Sequence, residues 1–294
     1  MQISRFVLAA LAFGAPLSGG GAAAQTDALT RAPSRFAALD GVRLHYKSLG
    51  TGRTAVVLIH GWACDLGVWR SQSAVLEGRV RVLALDLPGH GRSEKPAGPY
   101  SMAFFARAVN AVVEAAQVDQ VVLVGHSMGT PVARQYYRLF GAKVKGLVAV
   151  DGALKSPGLD SAAIERTVAG FSGPGREAMF EQMITPMFPG EALAAVRRDV
   201  IRMANATPEH VVTGAMRGML DPAIWGDDPI KTPVLAVMAK GPNWPPAYRA
   251  YVTRLVPEID YQELEGVHHF LMLERPDLFN PMLTDFLKTL RVMQ

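Results

Sequence analysis

The sequence has almost no cysteine: Cys64 is the single one in 294 residues. One thiol cannot form a disulfide within the chain, so burial of apolar side chains must stabilise the fold. Because free cysteine usually behaves as a small hydrophobe, we interpret Cys64 as a core residue rather than as a bridge to another chain. Apolar residues make up 49% of the sequence and charged residues only 19%, which excludes general disorder and predicts a large core.

The excess of positive charge is small, since the formal net charge is +4, and no cluster combines lysine or arginine with aromatic residues. We therefore expect no nucleic-acid partner. No G-x-G-x-x-G motif follows an early strand, which disfavours a nucleotide or flavin enzyme. His45 and His210 have no carboxylate or cysteine at ligand spacing, so no metal site is expected.

The N-terminal residues resemble a secretory leader more than part of a fold. One basic residue, Arg5, precedes an apolar stretch at 6–17, and three alanines at 22–24 supply small residues for cleavage. This pattern predicts a signal peptide at 1–24. The apolar run is shorter than the about 20 residues that span a bilayer, so a membrane anchor is the weaker interpretation. We expect an exported protein, periplasmic or secreted, without an anchor after cleavage; the sequence carries no signal for its oligomeric state.

Strand-like and helix-like segments alternate from about residue 35 onwards. This alternation predicts an α/β fold with a mostly parallel, doubly wound sheet. Apolar runs covered on both faces are typical of its central strands. The predicted strands are 42–49 (antiparallel, at the sheet edge), 55–59, 80–85, 121–124, 147–150, 234–238 and 259–264, and the predicted helices include 101–117, 130–140 and 276–290.

No strand signal appears between residues 152 and 229. Helical segments are predicted there at 175–188, 191–206 and 208–220, and they are rich in methionine. We interpret 152–229 as a helical cap inserted after the sixth strand, over the carboxyl ends of the strands, with the core formed by 25–151 and 230–294. Methionine is adaptable and suits an apolar pocket of variable shape, although most of these residues are expected to pack between cap helices.

Residues 125–129 have the sequence Gly-His-Ser-Met-Gly, a G-x-S-x-G motif between a predicted strand and a predicted helix. A sharp strand-to-helix turn of this kind holds the serine hydroxyl clear of the backbone. Glycine at both ends avoids collisions where the backbone is tightest. Ser127 is therefore the candidate nucleophile.

A serine hydroxyl needs a neighbouring base to become a useful nucleophile. Two histidines, His268 and His269, follow the last predicted strand. We favour His269 as the base because the apolar pair that follows it, Phe270 and Leu271, would anchor the loop. His268 remains the alternative.

An acyl-transfer site also needs backbone N–H donors for the developing oxyanion, each worth about 3 to 4 kcal/mol in comparable sites. One donor is expected on Met128, the residue after the nucleophile. The second is expected on Trp62, in the loop at 60–65 that follows an early strand. Phe270 and Trp244 are candidates for the wall of the substrate pocket, whereas 86–93 is interpreted as a structural turn.

Four segments taken together resemble the α/β-hydrolase superfamily, in particular its cap-bearing esterase branch. They are 60–62 (His-Gly-Trp), the turn at 86–93, the motif at 125–129, and the pair 269–270 before the final helix. They occur in the family's order from about residue 35 to the C-terminus. The resemblance implies the α/β-hydrolase fold, a Ser…acid…His triad in that chain order, and no metal or organic cofactor.

One departure from the family's pattern concerns the triad acid. In most members the acid follows the strand before the last one, but the matching stretch here, 237–246, contains no carboxylate. Asn243 could orient an imidazole but would not stabilise its cation. Some members carry the acid one strand earlier, where this chain has Asp151, so Asp151 is the predicted acid. The alternative is that Asp151 only forms a turn with Gly152.

These residues favour a serine hydrolase that cleaves a carboxylic ester, lactone or related acyl bond of a small to medium apolar substrate through an acyl-serine intermediate. The same triad could instead serve perhydrolase, acyltransferase or lyase chemistry. A non-catalytic small-molecule binding protein is the alternative from another class, and the missing carboxylate near Asn243 is its one support. Haloalkane dehalogenation is disfavoured, since it would require aspartate in place of Ser127.

Overall fold

A computed structural model describes residues 27–155 and 160–293. The predicted signal peptide and its cleavage after Ala24 lie outside them. Eight strands of the described chain form one sheet with the order β1-β2-β4-β3-β5-β6-β7-β8, antiparallel at β1/β2 and β2/β4 and parallel elsewhere. The strands are β1 (Ser34–Leu39), β2 (Val42–Leu49), β3 (Thr54–Ile59), β4 (Arg81–Leu85), β5 (Gln120–His126), β6 (Val144–Val150), β7 (Val234–Ala239) and β8 (Ile259–Leu264).

Alternate residues of the central strands face two separate apolar cores. In β3, Val56 and Leu58 face one core while Val57 and Ile59 face the other. Helices cover both sides, which is why these strands are apolar without interruption. The helices are α1 (Ala28–Arg31), α2 (Arg70–Leu76), α3 (Met102–Ala115), α4 (Gly129–Phe140), α5 (Ser161–Ala169), α6 (Arg176–Ile184), α7 (Ala194–Ala206), α8 (Glu209–Leu220), α9 (Pro246–Leu255), α10 (Leu271–Glu274) and α11 (Pro276–Thr289).

The register of the sheet brings the ends of three strands together. Ile59 of β3 lies opposite Gly125 of β5, and His126 of β5 lies opposite Val150 of β6. Because these strands are parallel, the residues that follow them meet at one edge of the sheet. Loop 60–65, the motif at 125–129 and Asp151 are therefore neighbours.

The fold class is confirmed, with a helical segment between β6 and β7 in the place predicted for the cap. The sequence pattern nevertheless missed one strand before it. The antiparallel strand 42–49 was expected at the sheet edge, but β1 occupies that edge and β2 lies next to it. Only Ala37 of β1 is fully buried, so the strand has no apolar run to reveal it.

The described part of the segment between β6 and β7 contains α5 to α8 and short 3₁₀ turns. Helix α5 was not predicted, because only Ile164 and Val168 of its residues are buried. Of the methionines in this segment, Met203 and Met216 are buried whereas Met179 is one of the exposed apolar side chains. Among the described residues, no helix has both the length and the apolarity needed to cross a membrane.

Arg134 of α4 bridges the two ends of the segment between β6 and β7. Its guanidinium donates hydrogen bonds to the carbonyl oxygen of Leu154 at 2.5 Å and to that of Gly226, and it lies 3.6 Å from Asp228. The side chain is almost completely buried, which lowers the pKa of Arg134. A buried cation is costly unless it is paired and hydrogen-bonded, so these contacts tie both ends of the segment to α4, although Nε of Arg134 has no partner among the described residues.

We predict that Arg134→Met destabilises the fold. The methionine retains an apolar stem but removes two hydrogen bonds from a charged donor, to the buried carbonyl group of Leu154 and to the half-buried one of Gly226, each worth roughly 1.5 to 3 kcal/mol. For a chain of this size, each kcal/mol lowers the melting temperature by about 2 to 4 °C. We therefore expect a decrease of about 5 to 15 °C, measured by circular dichroism. Arg107→Met, at an exposed arginine on α3, is the matched control, and an equal decrease in both variants would contradict the prediction.

Candidate active site

Ser127 lies in the turn between β5 and α4 and has a positive φ of +52°. A Cβ atom on Gly125 would lie 2.3 Å from the carbonyl oxygen of Gly129, and one on Gly129 would lie 2.3 Å from that of Ile59. Only glycine fits at either position, because real Cβ contacts are never so short. The N–H of Ser127 donates to the carbonyl oxygen of Val150 at 3.0 Å, which ties the turn to the end of β6.

Asp151 and His269 are in direct contact. Nδ1–H of His269 donates to Oδ2 of Asp151 at 2.7 Å. The Asp151 side chain is only 3% exposed, while that of His269 is 26% exposed. When Nδ1 carries the proton, Nε2 keeps the lone pair that a general base requires. The structure thus brings together the histidine and the carboxylate that the sequence singled out.

The end of β7 and the loop after it supply hydrogen-bond donors to Asp151 instead of a carboxylate. Oδ1 of Asp151 accepts from the backbone N–H of Ala239 at 2.9 Å and from the indole Nε1–H of Trp244 at 2.7 Å. The backbone N–H of Asp151 donates to the carbonyl oxygen of Val237 at 2.9 Å. Sequence reasoning placed Trp244 in the pocket wall but missed this contact, because an indole donor to a distant carboxylate leaves no local pattern.

His268 has a different carboxylate partner. Its Nδ1 lies 3.1 Å from Oε1 of Glu274, and its backbone N–H donates to Oε2 of Glu274 at 2.7 Å. The Glu274 side chain is 8% exposed and lies in α10. The geometry therefore distinguishes the two histidines of this loop, since His269 contacts Asp151 and His268 contacts Glu274.

His126 supports the loop that carries His269. Its Nε2–H donates to the backbone carbonyl oxygen of His269 at 2.9 Å, and its ring centroid is 4.7 Å from that of Phe270. Burial lowers the pKa of His126 well below its ordinary value, with a further contribution from His269, so the ring is neutral at physiological pH. A neutral ring next to the proposed base adds no competing positive charge.

The loop with the predicted oxyanion donor passes close to Ser127. A Cβ atom on Gly61 would lie 3.1 Å from Cβ of Ser127, so glycine permits this approach. Trp62 follows it, and its indole Nε1–H donates to the carbonyl oxygen of Val212 in α8 at 2.8 Å. Met128, the other predicted donor, is completely buried at the start of α4.

Two cavities meet at Ser127 and His269. We name the first, of about 190 Å³, the methionine cavity; its walls include Met183, Met187, Met216, Met219, Phe270 and Cys64. We name the second, of about 230 Å³, the tryptophan cavity; its walls include Asp151, Trp225, Asn243, Trp244 and Met219. Both candidate wall residues, Phe270 and Trp244, thus line a cavity beside Ser127. Each cavity is smaller than the roughly 300 to 1,000 Å³ of sites for drug-sized ligands.

The turn at 86–93 has the structural character predicted for it. The buried carboxylate of Asp86 accepts from His45 Nδ1 at 2.7 Å and from the backbone N–H groups of Leu66 and Arg92 at 2.9 and 2.8 Å. Burial alone would raise the pKa of Asp86, but these hydrogen bonds outweigh it and lower the pKa. His60, which braces its own loop, accepts at Nε2 from the N–H of Leu87 at 3.0 Å.

Comparison with known proteins identifies the fold. The family described as "alpha/beta hydrolase fold" matches residues 54–192. An uncharacterized protein of Mycobacterium tuberculosis is 35% identical over 116 residues, which are 40% of this chain and 34% of that protein. The chain thus spans about a third of the length of such curated relatives. The "Putative carbamate hydrolase RutD" of Azorhizobium caulinodans is 26% identical over 253 residues, which are 83% of this chain and 94% of that protein.

Solved structures share the fold along most of the chain. Est816, described as an N-acyl homoserine lactone degrading enzyme, is 25% identical with a TM-score of 0.73, over 86% of this chain and all of that one. An esterase of Exiguobacterium antarcticum is 19% identical with a TM-score of 0.77, over 87% of this chain and all of that one. These comparisons show that the chain has the α/β-hydrolase fold.

His90, in the turn at 86–93, is buried and uncharged. Its Nδ1–H donates to the carbonyl oxygen of Pro88 at 3.0 Å, and Nε2 has no hydrogen-bond partner among the residues that the structure describes. Burial, with a contribution from His60, lowers the pKa of His90 to about 3, against weaker raising by the Pro88 contact and Asp86. Protonation would bury a charged N–H group without an acceptor.

We predict that His90 makes stability depend on pH below neutrality. Its folded pKa lies below the unfolded value of about 6.5, so on acidification the unfolded chain binds a proton that the folded chain does not. The stabilisation is complete above pH 6.5 and decreases as the pH falls, by about 2 kcal/mol at pH 5.

Urea unfolding of wild type and His90→Asn at pH 8 and pH 5 measures this effect. The asparagine retains an N–H donor for Pro88 and cannot titrate, so its free energy of unfolding should fall by about 2 kcal/mol less than that of the wild type. His210→Asn, at an exposed histidine, is the matched control for removing a histidine from the unfolded chain. Equal pH dependence in wild type and His90→Asn would contradict the prediction.

Proposed function

We propose that this protein is a serine hydrolase that cleaves carboxylic ester, lactone or related acyl bonds of small to medium apolar substrates. The contact of 2.7 Å between Asp151 and His269, at a cavity that also contains Ser127, carries the proposal. Neither residue is near Ser127 in sequence, so only the fold unites a nucleophile, a histidine and a buried carboxylate in this order. Such a constellation is recognised by geometry and roles.

In the proposed acylation step, Ser127 Oγ attacks the carbonyl carbon while Nε2 of His269 takes the hydroxyl proton. Asp151 keeps the proton on Nδ1 of His269 and stabilises the imidazolium that forms. The oxygen that becomes negatively charged is bound by the backbone N–H groups of Trp62 and Met128. His269 then gives its proton to the departing alcohol, which leaves an acyl-serine.

Water completes the reaction in the second step. His269 removes a proton from the water, the resulting hydroxide attacks the acyl-serine, and Ser127 leaves with the proton from His269. The neutral state of His126 favours this cycle, because a second fixed cation beside His269 would oppose formation of the imidazolium.

The walls of both cavities favour an apolar substrate. The methionine cavity is lined by thioether and aromatic side chains, and the tryptophan cavity adds two indole rings. Relatives named for ester, lactone and carbamate substrates support an acyl bond as the target, since these substrates all present a carbonyl carbon to a nucleophile. Methionine side chains adapt to different shapes, which suits substrates of varied outline.

The non-catalytic alternative loses its one support. It rested on the absence of a carboxylate around Asn243, but Asp151 supplies a carboxylate to His269 from the neighbouring strand. No observation favours perhydrolysis, acyl transfer or lyase chemistry over hydrolysis. We also propose, from the leader alone, that the mature protein is exported.

The first prediction from this function concerns the reactivity of Ser127. A fluorophosphonate requires an activated serine, so the folded wild type should gain the mass of one adduct and Ser127→Ala should gain none. Intact-mass spectrometry reads the result without knowledge of the substrate. Ser172→Ala, at an exposed serine, is the matched control and should be labelled like the wild type. An unlabelled wild type, or a labelled Ser127→Ala, would overturn the proposal.

The second prediction concerns the acid. Asp151→Asn keeps the shape of the side chain but removes the charge that balances the imidazolium, so esterase kcat should fall by about 10³- to 10⁴-fold. Glu274→Gln makes the same change at the carboxylate beside His268 and is expected to cost much less. A larger loss for Glu274→Gln than for Asp151→Asn would reverse the assignment of His269 as the base.

A further inference from the structure

Trp244 lies in the loop between β7 and α9, within the stretch 237–246 that the resemblance to the superfamily marks as the usual place of a triad acid. Its indole Nε1–H is one of two donors to Oδ1 of Asp151, at 2.7 Å, and the backbone N–H of Ala239 is the other, at 2.9 Å. The opposite oxygen, Oδ2, accepts from His269. Both hydrogen bonds to Oδ1 therefore come from the end of β7 and from the loop after it, a stretch that lacks an acid of its own.

The two donors together restrict rotation of the Asp151 carboxylate group. Ala239 alone would hold Oδ1 at one point, about which the group could still rotate. The second donor, from Trp244, approaches the same oxygen from a different chain position and so limits this rotation. A carboxylate held in this way keeps Oδ2 directed at Nδ1 of His269, and the accuracy of that direction matters for a base.

The same ring also forms part of a substrate-sized cavity. Trp244 lines the tryptophan cavity together with Trp225 and Asn243, next to Ser127 and His269. Its other neighbour is Tyr248 of α9, with ring centroids 4.8 Å apart, and the Tyr248 hydroxyl accepts from the N–H of Leu154 at 2.9 Å. The indole is therefore held on one side by protein and is open to a ligand on the other.

We propose that Trp244 is the positioning residue of the acid, and that it links occupation of the tryptophan cavity to the orientation of the Asp151–His269 pair. This inference rests on the proposed serine hydrolase function. A substrate with an apolar group that fills this cavity packs against the indole whose N–H holds Asp151. Such substrates are expected to have a higher kcat as well as a lower KM. A substrate that fills only the methionine cavity is expected to have a lower KM alone.

Trp244→Phe separates this role from that of a simple wall. Phenylalanine retains an aromatic surface for the cavity and loses the N–H donor. A hydrogen bond to a charged group of this kind corresponds to about a 10- to 100-fold effect. We expect kcat for an aryl ester to fall by that factor while KM changes by less than about threefold. A mere wall residue would change KM and leave kcat within about twofold.

Trp225→Phe is the matched comparison. Trp225 lines the same cavity, and its indole nitrogen has no hydrogen-bond partner among the described residues. Its substitution alters the cavity without removing a donor from Asp151. The kcat loss in Trp244→Phe should exceed that in Trp225→Phe by at least about tenfold, and equal losses would overturn the inference.

A double-mutant cycle tests whether Trp244 acts through Asp151. In an Asp151→Ala background no carboxylate remains to be positioned, so Trp244→Phe should cause no further loss of kcat. Independent, multiplicative losses would show that Trp244 acts by another route. Replacement of the indole by benzothiophene, which has the same outline but no N–H, provides a second variant should Trp244→Phe fail to fold.

Proton NMR supplies a readout that does not depend on a substrate. The Nδ1–H shared by His269 and Asp151 should give a far-downfield resonance, assigned by its loss in His269→Gln. His45 with Asp86 and His268 with Glu274 are the other histidine–carboxylate contacts of the described chain, and their resonances should persist in that variant. Trp244→Phe should shift or broaden the assigned resonance alone, and an unchanged resonance would contradict the inference.

The outcomes also separate this inference from the function on which it rests. Full esterase activity in Ser127→Ala would remove the proposed function and with it the role of Trp244. An inactive Ser127→Ala together with an unaffected Trp244→Phe would remove only the role of Trp244.

Discussion

The contact between Gly129 and the end of β3 is the constraint on which the site depends. A single Cβ atom at Gly129 would lie 2.3 Å from the carbonyl oxygen of Ile59, so α4 can start where it does only with glycine. That closeness turns the chain sharply enough to place Ser127 at a positive φ beside the loop of Gly61. The nucleophile is thus held by backbone packing between three elements, and the strain of its own conformation is maintained by the surrounding sheet.

The position of Asp151, the proposed acid, follows from the same parallel register. The carboxyl ends of β6 and β7 are neighbours at one edge of the sheet, so a carboxylate after either strand can reach a histidine that arrives from the C-terminal loop. Asp151 occupies the first of these positions, with φ of +42°. The loop after β7 is then free to carry donors, and Ala239 and Trp244 supply them. The charge beside the imidazole of His269 thus comes from the residue after β6.

The sequence was sufficient for those parts of the molecule in which local pattern and burial agree. The central strands are buried on both faces and were recognised with small errors at their ends, and the nucleophile turn carries a compact motif. Strand β1 was missed because only Ala37 of its residues is fully buried. Likewise, the contacts of Trp244 with Asp151 and of His126 with His269 join residues more than ninety positions apart. Such contacts follow from tertiary packing, which periodicity and spacing do not encode.

Attachment of the segment between β6 and β7 explains how a site with adaptable walls retains fixed geometry. Arg134, on the helix that begins at the nucleophile turn, holds Leu154 near the start of this segment and Gly226 near its end. Trp62, in the loop of the proposed oxyanion site, binds Val212 of α8. The backbone of this segment is therefore tied to α4 and to the loop at 60–65 by three hydrogen bonds, at Leu154, Val212 and Gly226. The methionine side chains can then change the shape of the cavity. The backbone thus holds the proposed nucleophile and base in place, while methionine side chains adapt to the substrate. The pocket can therefore change shape without displacing Ser127 or His269.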